Sequence, residues 1–110
     1  MEMKLSRLMY EHGGSDFNYF QVNKEMVKKF GFGAALWLAN LHEIRKELVI
    51  NGLIDENDYF PATQQEIKDR TCIAFNAQTK IIETFKEAGI IEVKKKGLPA
   101  KNYYWIKKGY

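Results

Sequence analysis

The sequence predicts an α+β domain, mostly helical, in which two helices joined by a tight turn are followed by a β-hairpin. Apolar residues between positions 75 and 88 recur at the spacing of one helix face. Beyond them, a β-branched run and an aromatic run flank a loop that contains glycine and proline. Helix, turn, helix, strand, loop and strand in this order are the layout of a winged helix-turn-helix, here with an additional N-terminal strand and helices.

The first helix of this unit is expected to begin after Thr63. The Thr63 hydroxyl can accept a backbone N–H of the first turn, and the Glu66 carboxylate can reach back, which is the pattern of a capping box. Ile67 is the one strongly apolar residue of this short segment and is expected to anchor it. Residues 71–74 interrupt the polar pattern, so we expect the turn there, with Ile73 filling the corner.

The second helix is expected to span Phe75 to Ala88. Gly89 ends it, because glycine enters the left-handed conformation of a helix stop without steric cost. The apolar face of this helix consists of Ile81, Ile82, Phe85 and Ala88.

Two strands are expected after this helix. The first is the β-branched run from Ile90 to Val93, and the second runs from Asn102 to Ile106. Residues 94–101 are expected to form a loop, because Gly97 and Pro99 interrupt regular structure. Strand alternation favours a core position, rather than a base-stacking position, for at least one of three aromatic residues; these are Tyr103, Tyr104 and Trp105.

The first half of the chain is expected to support this unit. The aromatic and β-branched run from Phe17 to Val22 predicts a strand. Asn23 is expected to cap a short helix from Lys24 to Phe30, which Gly31 ends. A longer helix is expected from Ala34 to Leu48.

The segment after the long helix begins with a turn signal at Asn51-Gly52. Residues 53–61 fit either a ragged strand or an acidic loop. We therefore expect one winged-helix domain over 1–110, with 1–62 as the supporting part and 63–110 as the helix-turn-helix and wing. The sequence leaves open whether the chain is a fragment of a longer protein.

The segment 63–110 resembles the winged-helix domain at the start of plasmid and phage replication initiators and replisome organisers of the DnaD-type group. The similar parts are the polar helix with Glu66 and Ile67, the segment from Phe85 to Ile91, and the hairpin close from Lys101 to Tyr104. The resemblance covers 1–62 only in outline. It implies a DNA-binding module of a replication initiator, and transcription regulators use the same domain.

Three positions depart from the pattern of this group. Thr71 stands where a leucine is common, Cys72 stands where the turn often has glycine, and Gln78 stands where a buried valine is common. These residues affect the geometry of the turn, and therefore which face of the second helix is available to read DNA.

Positive charge is concentrated in the second half of the chain. Residues 1–62 hold 7 Lys and Arg against 9 Asp and Glu, which gives −2, whereas residues 63–110 hold 10 against 5, which gives +5 and accounts for the overall +3. A basic half of this kind is suited to attract DNA phosphates. The alternative is that the lysines only solvate a hairpin.

Composition argues against several other classes. With 110 residues, 45% of them hydrophobic, the chain can build one compact core. No apolar run reaches the roughly 18 residues of a transmembrane helix, so no membrane association is expected. The N-terminus lacks an apolar signal region, and Cys72 has no cysteine to pair with, which together favour the cytoplasm.

No pattern indicates catalysis. His12 and His42 lack metal-ligand spacing with Cys72, so no metal site is expected. Gly13-Gly14 lacks the surroundings of a phosphate-binding loop, and the acidic residues 55–58 lack the glycine and distal glutamate of a calcium loop. Cys72 is expected to be a partly buried turn residue rather than a nucleophile. We therefore expect a protein that is not an enzyme and has no cofactor.

The predicted site follows from the docking of a helix in the major groove of duplex DNA. For Asn76 a helix cap is an equal alternative to a base contact, and for Thr79 and Glu83 the alternative is a solvated face. Glu83 could also orient Lys80. The predicted base contacts are Asn76, Thr79, Lys80 and Glu83, and the predicted DNA-backbone contacts are Gln65, Lys68, Lys94, Lys95, Lys96 and Lys101.

A homodimer through the N-terminal half is also predicted, because this half carries more aromatic surface than one small core readily hides. The predicted interface residues are Phe17, Tyr19 and Trp37. The alternative is that these rings pack inside the monomer. Three functions stay open: a replication-initiator module that contacts replication proteins through a region outside this chain, a transcriptional regulator, and a protein-interaction winged helix without DNA binding.

Overall fold

The computed structural model describes residues 19–110, which form an α+β fold of helices around a three-stranded antiparallel sheet. A helix-turn-helix is followed by a β-hairpin, so the predicted winged-helix-like fold class is confirmed. The elements are α1 (Lys24–Phe30), α2 (Phe32–Ile50), β1 (Phe60–Pro61), α3 (Gln64–Thr71), α4 (Phe75–Glu87), β2 (Ile91–Lys96) and β3 (Lys101–Ile106).

The first two helices begin and end where local chemistry requires. The Asn23 side chain accepts hydrogen bonds from the backbone N–H groups of Glu25 and Met26, at 2.8 and 3.3 Å, and so caps α1 as predicted. Gly31, at φ 92°, ends α1 and directly precedes α2. Because Gly31 alone separates the two helices, α2 begins at Phe32 rather than at the predicted Ala34. It ends at Ile50, two residues beyond the predicted Leu48.

The predicted N-terminal strand is wrong over the residues that the structure describes. Residues 19–22 form no strand, and Phe17 lies outside the described residues. Strand pairing explains why residues 19–22 do not join β3: one edge of β3 is paired with β2 and the other with β1. Its partner β1 is the end of the segment for which a ragged strand or a loop was expected, with Phe60 opposite Tyr104.

Aromatic rings form the centre of the core. The Trp37 side chain is fully buried, with its ring centroid 5.9 Å from that of Phe85 and 5.7 Å from that of Tyr104. The assignment of Trp37 to a dimer interface is therefore wrong, because the interior of its own chain covers it. Tyr19 is 41% exposed. The burial of Tyr104 confirms that one of the three hairpin aromatics belongs to the core.

The hairpin is longer than predicted. β2 continues through Lys94, Lys95 and Lys96, and β3 already begins at Lys101, so the loop is only 97–100. The predicted loop over 94–101 is wrong at both ends because residues 94–96 pair in register with residues 101–103 of β3. We call β2, β3 and the loop 97–100 the wing.

Candidate nucleic-acid interface

The start of α3 follows from its cap. The Thr63 hydroxyl accepts the backbone N–H of Glu66 at 3.0 Å, as predicted. The Glu66 carboxylate does not complete the capping box with any residue in the range 19–110. Ile67 is fully buried and anchors the helix, which confirms its predicted role.

The turn between α3 and α4 contains two of the three departures noted in the sequence, Thr71 and Cys72. Cys72 lies in the left-handed region at φ 62° and ψ 17°, where a non-glycine residue costs about 1 kcal/mol. The Thr71 hydroxyl donates to the Ile67 carbonyl at 2.7 Å and accepts the Ile73 N–H at 3.2 Å, which stabilises the same turn. Cys72 is exposed, so the expectation that it is partly buried is wrong.

Gln78 holds the two helices together. Its side chain is fully buried, and its Nε2 donates to the Gln64 carbonyl at 2.9 Å and to the Ile73 carbonyl at 3.0 Å. A valine at this position would pack but could not make these bonds. At the third departure a buried amide therefore links α4 to the start of α3 and to the turn, while its Oε1 has no hydrogen-bond partner among the residues described.

One face of α4 is apolar and the opposite face is polar. Ile82 and Phe85 are buried as predicted, whereas Ala88, which lies beyond the end of the helix, is exposed. The predicted base-contact residues recur at intervals of three and four, which places them on one exposed helix face. They are Asn76, Thr79, Lys80 and Glu83.

Asn76 and Lys80 are available for a ligand. The N-cap of α4 is Ala74, so the alternative of Asn76 as the helix cap is wrong. Neither Asn76 nor Lys80 forms a side-chain hydrogen bond or an ion pair with the described part of the chain. Both side chains therefore project from the exposed face of α4 with their donors unused.

The other two predicted base contacts have partners. The Thr79 hydroxyl donates to the Phe75 carbonyl at 3.0 Å and accepts from Gln64 at 3.4 Å. The Glu83 carboxylate lies 3.6 Å from the ammonium of Lys86, so the suggestion that Glu83 orients Lys80 is wrong.

Two exposed residues of α3 border this face. Gln65 donates to Asp69 at 2.7 Å, and the ammonium of Lys68 lies 4.8 Å from the ring centroid of Phe75. The contact with Phe75 places Lys68 beside the first residue of α4. Lys68 therefore adds positive charge near the N-terminal end of the exposed α4 face.

The wing separates its four lysines onto two faces. Lys96 lies opposite Lys101 in the β2–β3 register, and Lys94 shares their face because successive side chains of a strand alternate. Lys95 lies on the other face. Residues 94–101 contain no acidic residue, so both faces of the wing end are positively charged.

Two of these lysines place their ammonium groups over aromatic rings. The Lys94 ammonium lies 4.2 Å from the ring centroid of Tyr59, and the Lys96 ammonium lies 5.3 Å from that of Tyr103. The Tyr59 hydroxyl donates a hydrogen bond to the Glu92 carboxylate, which raises the pKa of Tyr59. Sequence reasoning missed Tyr59, because its segment carries no signal that it packs on the hairpin.

The described residues give no indication of a metal site or a membrane span. Within 19–110 no group of three or more His, Cys, Asp and Glu side chains is placed to hold a metal ion. None of the helices in this range is long and apolar enough to cross a bilayer.

The Nε2 of His42 lies 2.7 Å from the Tyr110 carbonyl oxygen, and burial lowers the pKa of His42. His12 lies outside the described residues.

Comparison with known proteins finds two solved structures that share this fold. No family model and no curated protein matches the chain. A protein solved as a Rep–DNA complex is 19% identical with a TM-score of 0.68, over 90% of this chain and 82% of that chain. The N-terminal domain of a DNA-binding protein is 19% identical with a TM-score of 0.68, over 90% and 81%. At this identity, the likeness establishes that the chain shares the fold of these two domains.

Proposed function

We propose that this chain is the duplex-DNA-binding module of a replication initiator. In this proposal α4 enters the major groove and the wing contacts the sugar–phosphate backbone beside it. The observation that carries the proposal is the exposed α4 face, where Asn76 and Lys80 have unused donors. Asparagine can pair bidentately with adenine, and lysine can donate to guanine.

Charge and similarity support the same conclusion. The half of the chain that holds α3, α4 and the wing carries +5, against −2 for the other half. Both similar structures are described as DNA-binding, and one of them as a Rep–DNA complex. Similarity to a Rep–DNA complex agrees with the initiator role that the sequence resemblance implies, and it supports DNA binding over an interaction module without DNA.

The remaining parts of the proposal concern chemistry and assembly. We propose a binding protein that is not an enzyme, acts in the cytoplasm and reaches other replication proteins through a region outside this chain. A homodimer through the N-terminal half stays a prediction, although the burial of Trp37 leaves Tyr19 as the one proposed interface residue in the described range that is exposed. Light scattering at tens of micromolar decides it, since a strictly monomeric species contradicts the dimer.

Binding to duplex DNA is expected to depend strongly on salt. Each phosphate contact contributes about −0.9 to the slope of log affinity against log salt, so four to six contacts give a slope of about −4 to −5. Fluorescence titration of a labelled mixed-sequence duplex at several salt concentrations measures this slope. The absence of binding at low salt would contradict DNA binding and favour the interaction module.

Sequence preference is expected to depend on α4. Asn76→Ala and Lys80→Ala should each lose about 1–3 kcal/mol at the base pair that is contacted and relax the preference there. Selection of bound duplexes from a random-sequence pool, followed by sequencing, measures the preference of each variant.

Lys86→Ala is the matched control for this experiment. It removes the same charge as Lys80→Ala from the same helix, but the Lys86 ammonium already faces Glu83. We expect it to leave the sequence preference unchanged. A shift with Lys86→Ala as large as the shift with Asn76→Ala would place the reading face elsewhere on the domain.

A further inference from the structure

The tip of the wing is apolar and lies entirely in water. Leu98 is 101% exposed, more than Ile50 at 71% or Leu53 at 67%, the other aliphatic residues that the structure leaves most exposed. The loop 97–100 consists of glycine, leucine, proline and alanine, so it carries no side chain that can hydrogen-bond to a base or a phosphate. Covering such an exposed apolar side chain with a partner lowers the free energy, because apolar surface is removed from water.

Positive charge surrounds this apolar tip. Lys96 and Lys101 face each other across the base of the loop, and Lys95 lies on the opposite face of the wing. A partner that covers Leu98 must therefore combine negative charge on its flanks with an apolar interior. Duplex DNA has this combination, with phosphates along the groove edges and stacked bases between them.

The wing is long enough to reach a neighbouring groove. Val93 packs against the core opposite the buried Tyr104, and Leu98 follows five residues later. At about 3.3 Å per residue the tip lies up to roughly 17 Å from the core. Half a turn of B-form DNA, which separates a major groove from the next minor groove, is about 17 Å.

We propose that Leu98 inserts into the minor groove as a wedge between adjacent base pairs, with Lys95, Lys96 and Lys101 on the flanking phosphates. This inference rests on the proposed binding of duplex DNA. The minor groove is about 6 Å wide, so the tip enters it while the two strands stay outside. Leucine and proline are among the residues that unstack base steps in this way and kink the duplex toward the major groove.

The wedge gives a preference that needs no hydrogen bond to a base. Pyrimidine–purine steps such as TpA unstack most easily, so a kink costs least there. The domain is therefore expected to favour duplexes with such a step beside the site that α4 reads.

Two fluorescence measurements test the wedge on a duplex of about 30 base pairs that contains TpA steps. The base analogue 2-aminopurine, placed at these steps, brightens when it is unstacked, and donor and acceptor dyes at the two ends report bending. The wild-type chain should increase both signals. Leu98→Ala should lose both increases and bind several-fold more weakly with an unchanged salt slope, because no charge is removed. Leu98→Phe should retain them.

Leu53→Ala is the matched control, because it truncates another exposed leucine outside the wing, and it should behave as the wild type. If duplex bound by Leu98→Ala shows the same 2-aminopurine emission and the same bend as with the wild type, the wedge is overturned while DNA binding stands. If the wild-type chain binds the duplex at low salt without brightening 2-aminopurine, the wedge is likewise overturned. A wild-type chain that binds no duplex overturns the proposed function and this inference with it.

Discussion

Replacing Lys95, Lys96 and Lys101 together by alanine is expected to weaken binding to duplex DNA by about a hundredfold or more near 0.1 M salt, and to flatten the salt slope by about two to three. The reason is the release of counterions, since each ammonium that contacts a phosphate frees condensed cations from the duplex. Titration of the same duplex at several salt concentrations gives both numbers. The loss should be nearly equal for all duplex sequences, because phosphates carry no base information.

A control variant with the same change in net charge distinguishes the effect of the wing lysines on affinity from the effect of the overall charge of the protein. Replacing Lys24, Lys28 and Lys29 by alanine removes three charges from α1. We expect this variant to bind almost as the wild type does. Equal losses in the two triple variants would show that net charge, and not the wing, controls affinity.

The single variants locate the face of the wing that meets DNA. Lys95 lies on the opposite face from Lys96 and Lys101. If the wing lies on the backbone with one face, Lys95→Ala and Lys96→Ala should flatten the salt slope unequally. Equal effects are expected if the tip enters a groove, because phosphates then lie on both sides.

Trp37→Ala is expected to lower the free energy of unfolding by about 3–5 kcal/mol. The Trp37 ring is fully buried between Phe85 and Tyr104, so its removal leaves a cavity where α2, α4 and the sheet meet. A loss of this size is a large part of the stability of a small domain. Urea unfolding followed by circular dichroism measures it.

Two further variants make the result specific to burial. Trp37→Phe should cost much less, because it keeps a ring and the indole N–H has no hydrogen-bond partner among the residues described. Phe32 is 63% exposed, so Phe32→Ala should change stability by about 0.5 kcal/mol or less. A Trp37→Ala chain that unfolds at the same urea concentration as the wild type would contradict the position of this ring.

Features that depend on neighbouring residues were predictable from the sequence. Asn23 and Thr63 cap helices because their side-chain oxygens reach backbone N–H groups two or three residues away. Gly89 has φ 73° just beyond α4, as the helix stop requires. The exposed face of α4 follows from helical spacing alone, so the group Asn76, Thr79, Lys80 and Glu83 could be predicted before any contact was known.

Contacts between distant segments were decided only by the tertiary structure. Strand β2 includes three lysines because β3 pairs with them, and lysine itself has no preference for a strand that would reveal this. The same pairing separates Lys95 from Lys96 and Lys101. The place of Tyr59 against Lys94 likewise depends on how a distant segment packs on the hairpin.

The burial of Trp37 and Gln78 was likewise decided only by the tertiary structure. Trp37 could serve a core or an interface equally well by its chemistry, and the positions of Phe85 and Tyr104 decided for the core. Gln78 was identified as an unusual residue at a buried position, but its bonds to Gln64 and Ile73 exist only once α3 and α4 are packed. Hydrogen bonds and caps within a few residues follow from local sequence, whereas burial and strand pairing follow from which distant surfaces meet.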